Sequence, residues 1–106
     1  MTIFRLTLAA AFAVLLSTGP ALAGGDPARG KELAVDCADC HGDQGQGDED
    51  SPALAGMDEA EHIAALKAFK SGERVDEEEM MTMYAEDLSE QDMADLAAYY
   101  ASLGSD

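Results

Sequence analysis

With 106 residues, 22 of them acidic against six Lys and Arg, the chain carries a formal net charge of −16 and is short enough for one small domain. That charge excludes nucleic acid and anionic membrane surfaces as natural partners, because both repel a polyanion. Two cysteines and no tryptophan exclude a disulfide framework and leave little bulk for a large core of the chain's own.

Residues 1–23 read as a secretory signal peptide. Arg5 is their only charge, Leu6 to Leu16 is apolar apart from Thr7, and Ala21-Leu22-Ala23 is an A-x-A cleavage site. The apolar run is too short for a membrane span of about 20 residues. Cleavage after Ala23 leaves residues 24–106 as one exported, periplasmic domain with no membrane attachment. Loss of Arg5 takes its charge to −17. Export also suits cysteines that must cross into an oxidising space.

Asp26-Pro27 opens the first helix, with Asp26 as N-cap and Pro27 at the first helical position, where a missing N–H costs nothing. This helix is expected to run to about Asp36, to bury Leu33, and to mark a close helix crossing at Gly30, a residue unfavourable in a helix interior. It delivers Cys37-Ala38-Asp39-Cys40-His41. Cys-x-x-Cys-His is the attachment signature of a c-type haem. Two thiols one turn apart can each add to a haem vinyl group, and the histidine beside them can then bind the iron. A thioredoxin-like dithiol would need a βαβ context that is absent here. A zinc site would need four ligands from Cys37, Cys40, His41 and His62, two of which are too adjacent to converge easily. A plain disulfide leaves the histidine unexplained.

Gly42 to Asp50 holds three glycines and four acids, a loop wrapping the haem site. Asp58 with Glu61 in cap spacing starts a middle helix that runs to about Ser71 and ends at Gly72. Ile63, Leu66 and Phe69 form its apolar stripe. Glu73 to Leu88 reads as a polar connection carrying Met80, Met81 and Met83. Ser89 with Asp92 starts the last helix, in which Met93, Leu96, Ala97 and Tyr100 share a face and which Gly104 closes. No strand pattern and no repeat is visible. The expected fold is all-α, three principal helices joined by loops whose length requires a cofactor to order them.

The order and spacing of these pieces resemble a class I cytochrome c of the small bacterial monohaem kind, found singly and in tandem dihaem proteins. The resemblance covers nearly all of Asp26 to Leu103. It rests on Cys37-Ala38-Asp39-Cys40-His41-Gly42, on Pro52-Ala53-Leu54-Ala55-Gly56, on Leu66-Lys67-Ala68-Phe69-Lys70-Ser71-Gly72, and on Met80-Met81 leading to Leu88-Ser89 and the last helix. It implies that Gly30 crosses Leu96 and Tyr99, that the Pro52 carbonyl orients His41 through its other ring N–H, and that Leu54 presses on the haem. It implies Met81 as the second axial ligand, with Met83 and Met80 as alternatives, since a thioether opposite histidine suits electron transfer. Tyr84 stands where relatives frequently carry Met, and His62 where they often carry Tyr. His62 is expected at the surface or facing a haem propionate rather than on the iron.

The expected function is therefore electron transfer by one covalently bound haem c in a monomer, without enzymatic activity. A redox partner with a basic docking surface would match the acidity, and Asp76-Glu77-Glu78-Glu79, flanking the methionines, could rim the haem edge. A solvated surface suited to a saline habitat explains the charge equally well. The competing functions are a haem sensor or enzyme with an open sixth position, and an electron-transfer subunit of a larger oxidoreductase.

Overall fold

The computed structural model describes residues 24–104; the segment read as a signal peptide, 1–23, lies outside the described residues. Five helices follow one another: α1 (Pro27–Leu33), α2 (Val35–His41), α3 (Glu59–Ser71), α4 (Met80–Glu86) and α5 (Glu90–Leu103), and no strand occurs among the described residues. The start signals work as the sequence suggests. The Asp26 carboxylate accepts from the amides of Ala28 and Arg29, Asp58 accepts from Glu61 N at 3.1 Å, and Ser89 and Asp92 form a reciprocal capping box. Gly72 closes α3 in the left-handed conformation at φ 84°.

Two elements depart from the sequence expectation. The first helix does not stop at Asp36. It turns at Ala34 and continues as α2 through His41, so the whole cysteine–histidine motif is helical. The stretch from Glu73 to Leu88 is not all loop, because Met80–Glu86 forms α4. The amide of Met81 donates to the Asp76 carboxylate at 3.2 Å, which supplies an acceptor that the helix start needs. Asp76 is thus turned inward rather than being part of a solvated acidic face.

α1 and α5 cross at Gly30. A Cβ there would collide with the backbone carbonyl of Asp95 and stand 2.8 Å from Cβ of Tyr99, so only glycine allows this approach. Asp95, almost fully buried, secures the crossing. Its carboxylate accepts from Asp26 N at 2.7 Å, from Gln91 Nε2 at 2.9 Å and from Arg29 at 2.9 Å. α3 packs against both α5 and α4. The shared core is Ala34, Leu66, Met93, Leu96 and Tyr100, with Leu33, Cys37, Leu54, Ile63, Met81 and Leu88 packed around it.

His62 corrects the surface alternative of its expectation. It is not at the surface; only 4% of it is exposed. One turn before Leu66 on α3, it falls on the same inward stripe, and its ring lies tilted against Tyr100 at 5.7 Å between centroids.

Candidate functional site

The site has two arms. The first is α2 with the loop that follows it. Helical geometry puts the Cys37 and Cys40 side chains one turn apart. Cys37 is half-buried against the core and Cys40 is exposed. Burial pushes the Cys37 thiol above its ordinary pKa, an effect partly offset by a hydrogen bond with Tyr100.

His41 ends α2 and is buried. Its Nδ1 lies 2.7 Å from the Pro52 carbonyl oxygen. A carbonyl can only accept, so Nδ1 carries the proton and donates it, and Nε2 keeps a free lone pair. The loop that brings Pro52 back is itself tied down. Gly47 N donates to the His41 carbonyl at 2.7 Å, and Leu54 N and Ala55 N both donate to the Gly45 carbonyl, at 2.8 and 3.0 Å. Gly45 has φ +68°, and a Cβ there would stand 2.7 Å from the Tyr100 ring. Gly56 N then donates to the Tyr100 carbonyl at 2.9 Å, fastening the loop's end to α5. The glycines that make this segment irregular are what let it fold tightly enough to aim the imidazole.

The second arm is α4, where the three methionines part company. Met81 packs against the core cluster, as Cys37 and Leu54 do. Met80 and Met83 are exposed, at 37% and 59%. Their neighbour Thr82 has a buried hydroxyl with no hydrogen-bond partner, and so has Nδ1 of His62. Each buried polar atom left without a partner calls for a local explanation. Among the described residues, no three His, Cys, Asp or Glu side chains converge as ligands of a bare metal ion.

The donor set fits a haem: two thiols at attachment spacing, one imidazole nitrogen left unclaimed, and one thioether held against the core. Asp76 is the site residue that the sequence reading missed. Its signal was available as a carboxylate five residues ahead of Met81, concealed within a run of acids.

Comparison with known proteins agrees with this geometry. The family model for cytochrome c matches residues 27–104. The chain belongs to the cytochrome c family. It is 39% identical to cytochrome c-554(548) of Halomonas halodenitrificans over 80 residues, 74% of this chain and 96% of that protein. It is 42% identical to cytochrome c4 of Pseudomonas aeruginosa over 86 residues, 80% of this chain and 42% of that protein. The chain thus spans about half the length of the cytochromes c4 it matches, and nearly all of the c-554 kind. Among solved structures, cytochrome c4 of Acidithiobacillus ferrooxidans superposes with a TM-score of 0.70 at 30% identity, over 77% of this chain and 52% of that one. The thiosulfate dehydrogenase of Marichromatium purpuratum also reaches 0.70 at 32% identity, over 81% of this chain and 21% of that one. As a cytochrome c, the protein carries covalently attached haem c at its Cys37-x-x-Cys40-His41 motif and works by haem-based electron transfer.

Proposed function

We propose that this cytochrome c is a monomeric periplasmic electron carrier, exported by residues 1–23 and catalysing no reaction of its own. Cys37 and Cys40 would hold the haem through thioethers, and His41 Nε2 and the Met81 thioether would ligate its iron. When bound, the haem supplies a one-electron Fe(II)/Fe(III) couple. The chain's own residues decide how that couple behaves. The Pro52 carbonyl holds the proton on Nδ1 of His41, which fixes the tautomer and makes Nε2 a better donor. Asp76 holds the amide of Met81, which steadies the turn of α4 bearing the thioether. Leu54 and the apolar core beside both arms keep water away.

The observation that carries this reading is the contrast among the methionines. Met81 is packed inward while Met80 and Met83 face solvent, so an axial thioether from either neighbour would require α4 to rotate. The test is to express the chain in a host with c-haem maturation and to compare visible spectra of Met81→Ala, Met83→Ala and Met80→Ala. Loss of the weak red ferric–thioether band only in Met81→Ala supports the assignment. Loss in Met83→Ala instead transfers it.

A second reading has an observation in its favour. The match to one-fifth of a thiosulfate dehydrogenase chain and to half of the cytochromes c4 supports an electron-transfer module inside a larger oxidoreductase. Co-purification of a partner at moderate salt would favour it. Carbon monoxide binding to the native ferrous protein at neutral pH would favour an open-site sensor or enzyme over both.

A further inference from the structure

The chain sets only six Lys and Arg against 22 acids, yet among the described residues Lys70 pairs with no carboxylate. Its Nζ donates instead to the backbone carbonyl of Leu88, where α4 gives way to α5. The end of α4 needs such a donor. α4 has no basic residue in its last turn and finishes on Glu86, with Asp87 as its C-cap, the wrong sign for the negative end of a helix dipole. Lys70 brings from α3 the positive charge that α4 lacks. The turn that carries Lys70 is itself firmly set. Phe69 beside it is buried, and the Arg74 guanidinium lies 4.7 Å from the centre of its ring. Arg74 N and Ser71 Oγ both donate to the Ala68 carbonyl, each at 3.1 Å.

We infer that Lys70 is a positioning residue for the axial methionine: by tying the exit of α4 to the end of α3, it keeps Met81 turned inward and the sixth position of the iron closed to other ligands. This inference rests on the reading of Met81 as the ligand. Met81 lies in the first turn of α4 and Leu88 just beyond its last, so a seven-residue helix carries any slip at Leu88 to the thioether. Asp76 fixes the start of that helix through the Met81 amide. It belongs to the same connecting segment, however, and travels with it when the segment moves. Lys70 stands on a separate helix that packs against α4 and α5 alike, so its bond is the one that a departing arm must break. Lys67, one turn earlier on α3, has no such hold. It meets Glu90 of α5 at 3.7 Å, past the joint, and both side chains are well exposed. An ammonium-to-carbonyl bond is stronger than a neutral one, and its exposure makes the effect on the arm graded rather than all or none.

The experiment uses the ferric holoprotein with imidazole as the competing ligand. Once the binding rate no longer rises with imidazole, it reports how often the native ligand leaves the iron. Lys70→Ala is compared with Lys67→Ala, the same loss of charge one turn away, and with Lys70→Arg, which keeps a cationic donor. Lys70→Ala is expected to raise the limiting rate about threefold to tenfold and to weaken the red ferric–thioether band, while Lys67→Ala and Lys70→Arg stay within about twofold of wild type. Thermal melts of all four proteins show whether stability alone has changed. A lower Tm in Lys70→Ala with an unchanged limiting rate, or equal acceleration by both alanine variants, overturns the inference. Amide hydrogen exchange in α4 separates it from the ligand assignment. If wild type lacks the thioether band, Met81 is not the ligand. Faster exchange of Met81 to Glu86 in Lys70→Ala alone then upholds Lys70 as the residue that holds the arm, and unchanged exchange overturns it.

Discussion

His62 gives a pH dependence that one substitution isolates. Its ring is 4% exposed, its Nδ1 has no partner, and Tyr100 covers it. Burial pushes its pKa from 6.5 down to about 4. The folded value is below the unfolded one, so between them the unfolded chain binds more protons. The stability gained by burying a neutral ring is therefore complete above about pH 6.5 and is lost as the pH falls towards the folded value. From pH 7 to pH 5 that loss amounts to about 2 kcal/mol. The window is informative because carboxylates stay ionised across most of it, and the only other histidine, His41, is on the iron in the proposed assignment. The test is urea unfolding of the holoprotein at pH 7, 6 and 5, followed by far-ultraviolet circular dichroism, for wild type and His62→Phe. The wild-type midpoint should fall across the series while the variant stays nearly level. Parallel slopes in the two proteins would refute the reasoning, since the titrating group would then lie elsewhere.

Two further predictions concern the α1–α5 crossing. Asp95→Ala removes the acceptor for Asp26 N, Gln91 and Arg29. It should cost about 3 kcal/mol at pH 7, at the low end for a buried ion pair because Arg29 is half-exposed. Burial alone would raise the Asp95 carboxyl pKa, but the Asp26 amide, Gln91 and Arg29 hold it below its usual range. This contribution is present above the unfolded value near pH ~4 and is lost as the pH falls through the lower folded value, so the deficit should narrow in acid. An equal deficit in thermal melts at pH 7 and pH 3 would count against the carboxylate. Gly30→Ala sets the roughly 1 kcal/mol helix preference of alanine against a Cβ driven into the Asp95 carbonyl. The collision should win and lower Tm by about 5 °C or more; an unchanged Tm would mean that the helices can part without penalty.

The features legible in the sequence are those in which local chemistry and tertiary structure agree. Asp26, Asp58 and Ser89 cap the helices that they announce, Gly30 marks a real crossing, and Met93, Leu96, Ala97 and Tyr100 are buried as their spacing requires. Pro52, eleven residues from His41, meets its ring as the resemblance implies. What escaped notice has physical reasons. α4 is seven residues long, too short for periodicity to reveal. Glu79 at its N-cap adopts φ 58° and offers no side-chain bond, so the usual start signal is missing. The acceptor comes from Asp76 across a turn, and a lone carboxylate in an acidic run gives no sign of which way it points. His62 was misplaced because a polar residue breaks an apolar stripe on paper, although its spacing from Leu66 already put it on the inward face.

The two arms of the site are held by separate means, and that separation follows from how little core the chain has. The His41 arm is fastened by backbone bonds through Gly45, Gly47 and Gly56 to the Tyr100 carbonyl, and so to α5. The Met81 arm is held by side chains: Asp76 accepts from the Met81 amide, Lys70 donates to the Leu88 carbonyl, and Ala85, Met81 and Leu88 pack inward. Backbone bonds closing short glycine turns leave few alternative conformations, whereas side-chain bonds to a seven-residue helix are more easily exchanged. The methionine arm is thus the side expected to open first under stress, which faster amide hydrogen exchange in α4 than in α5 would show and equal rates would refute.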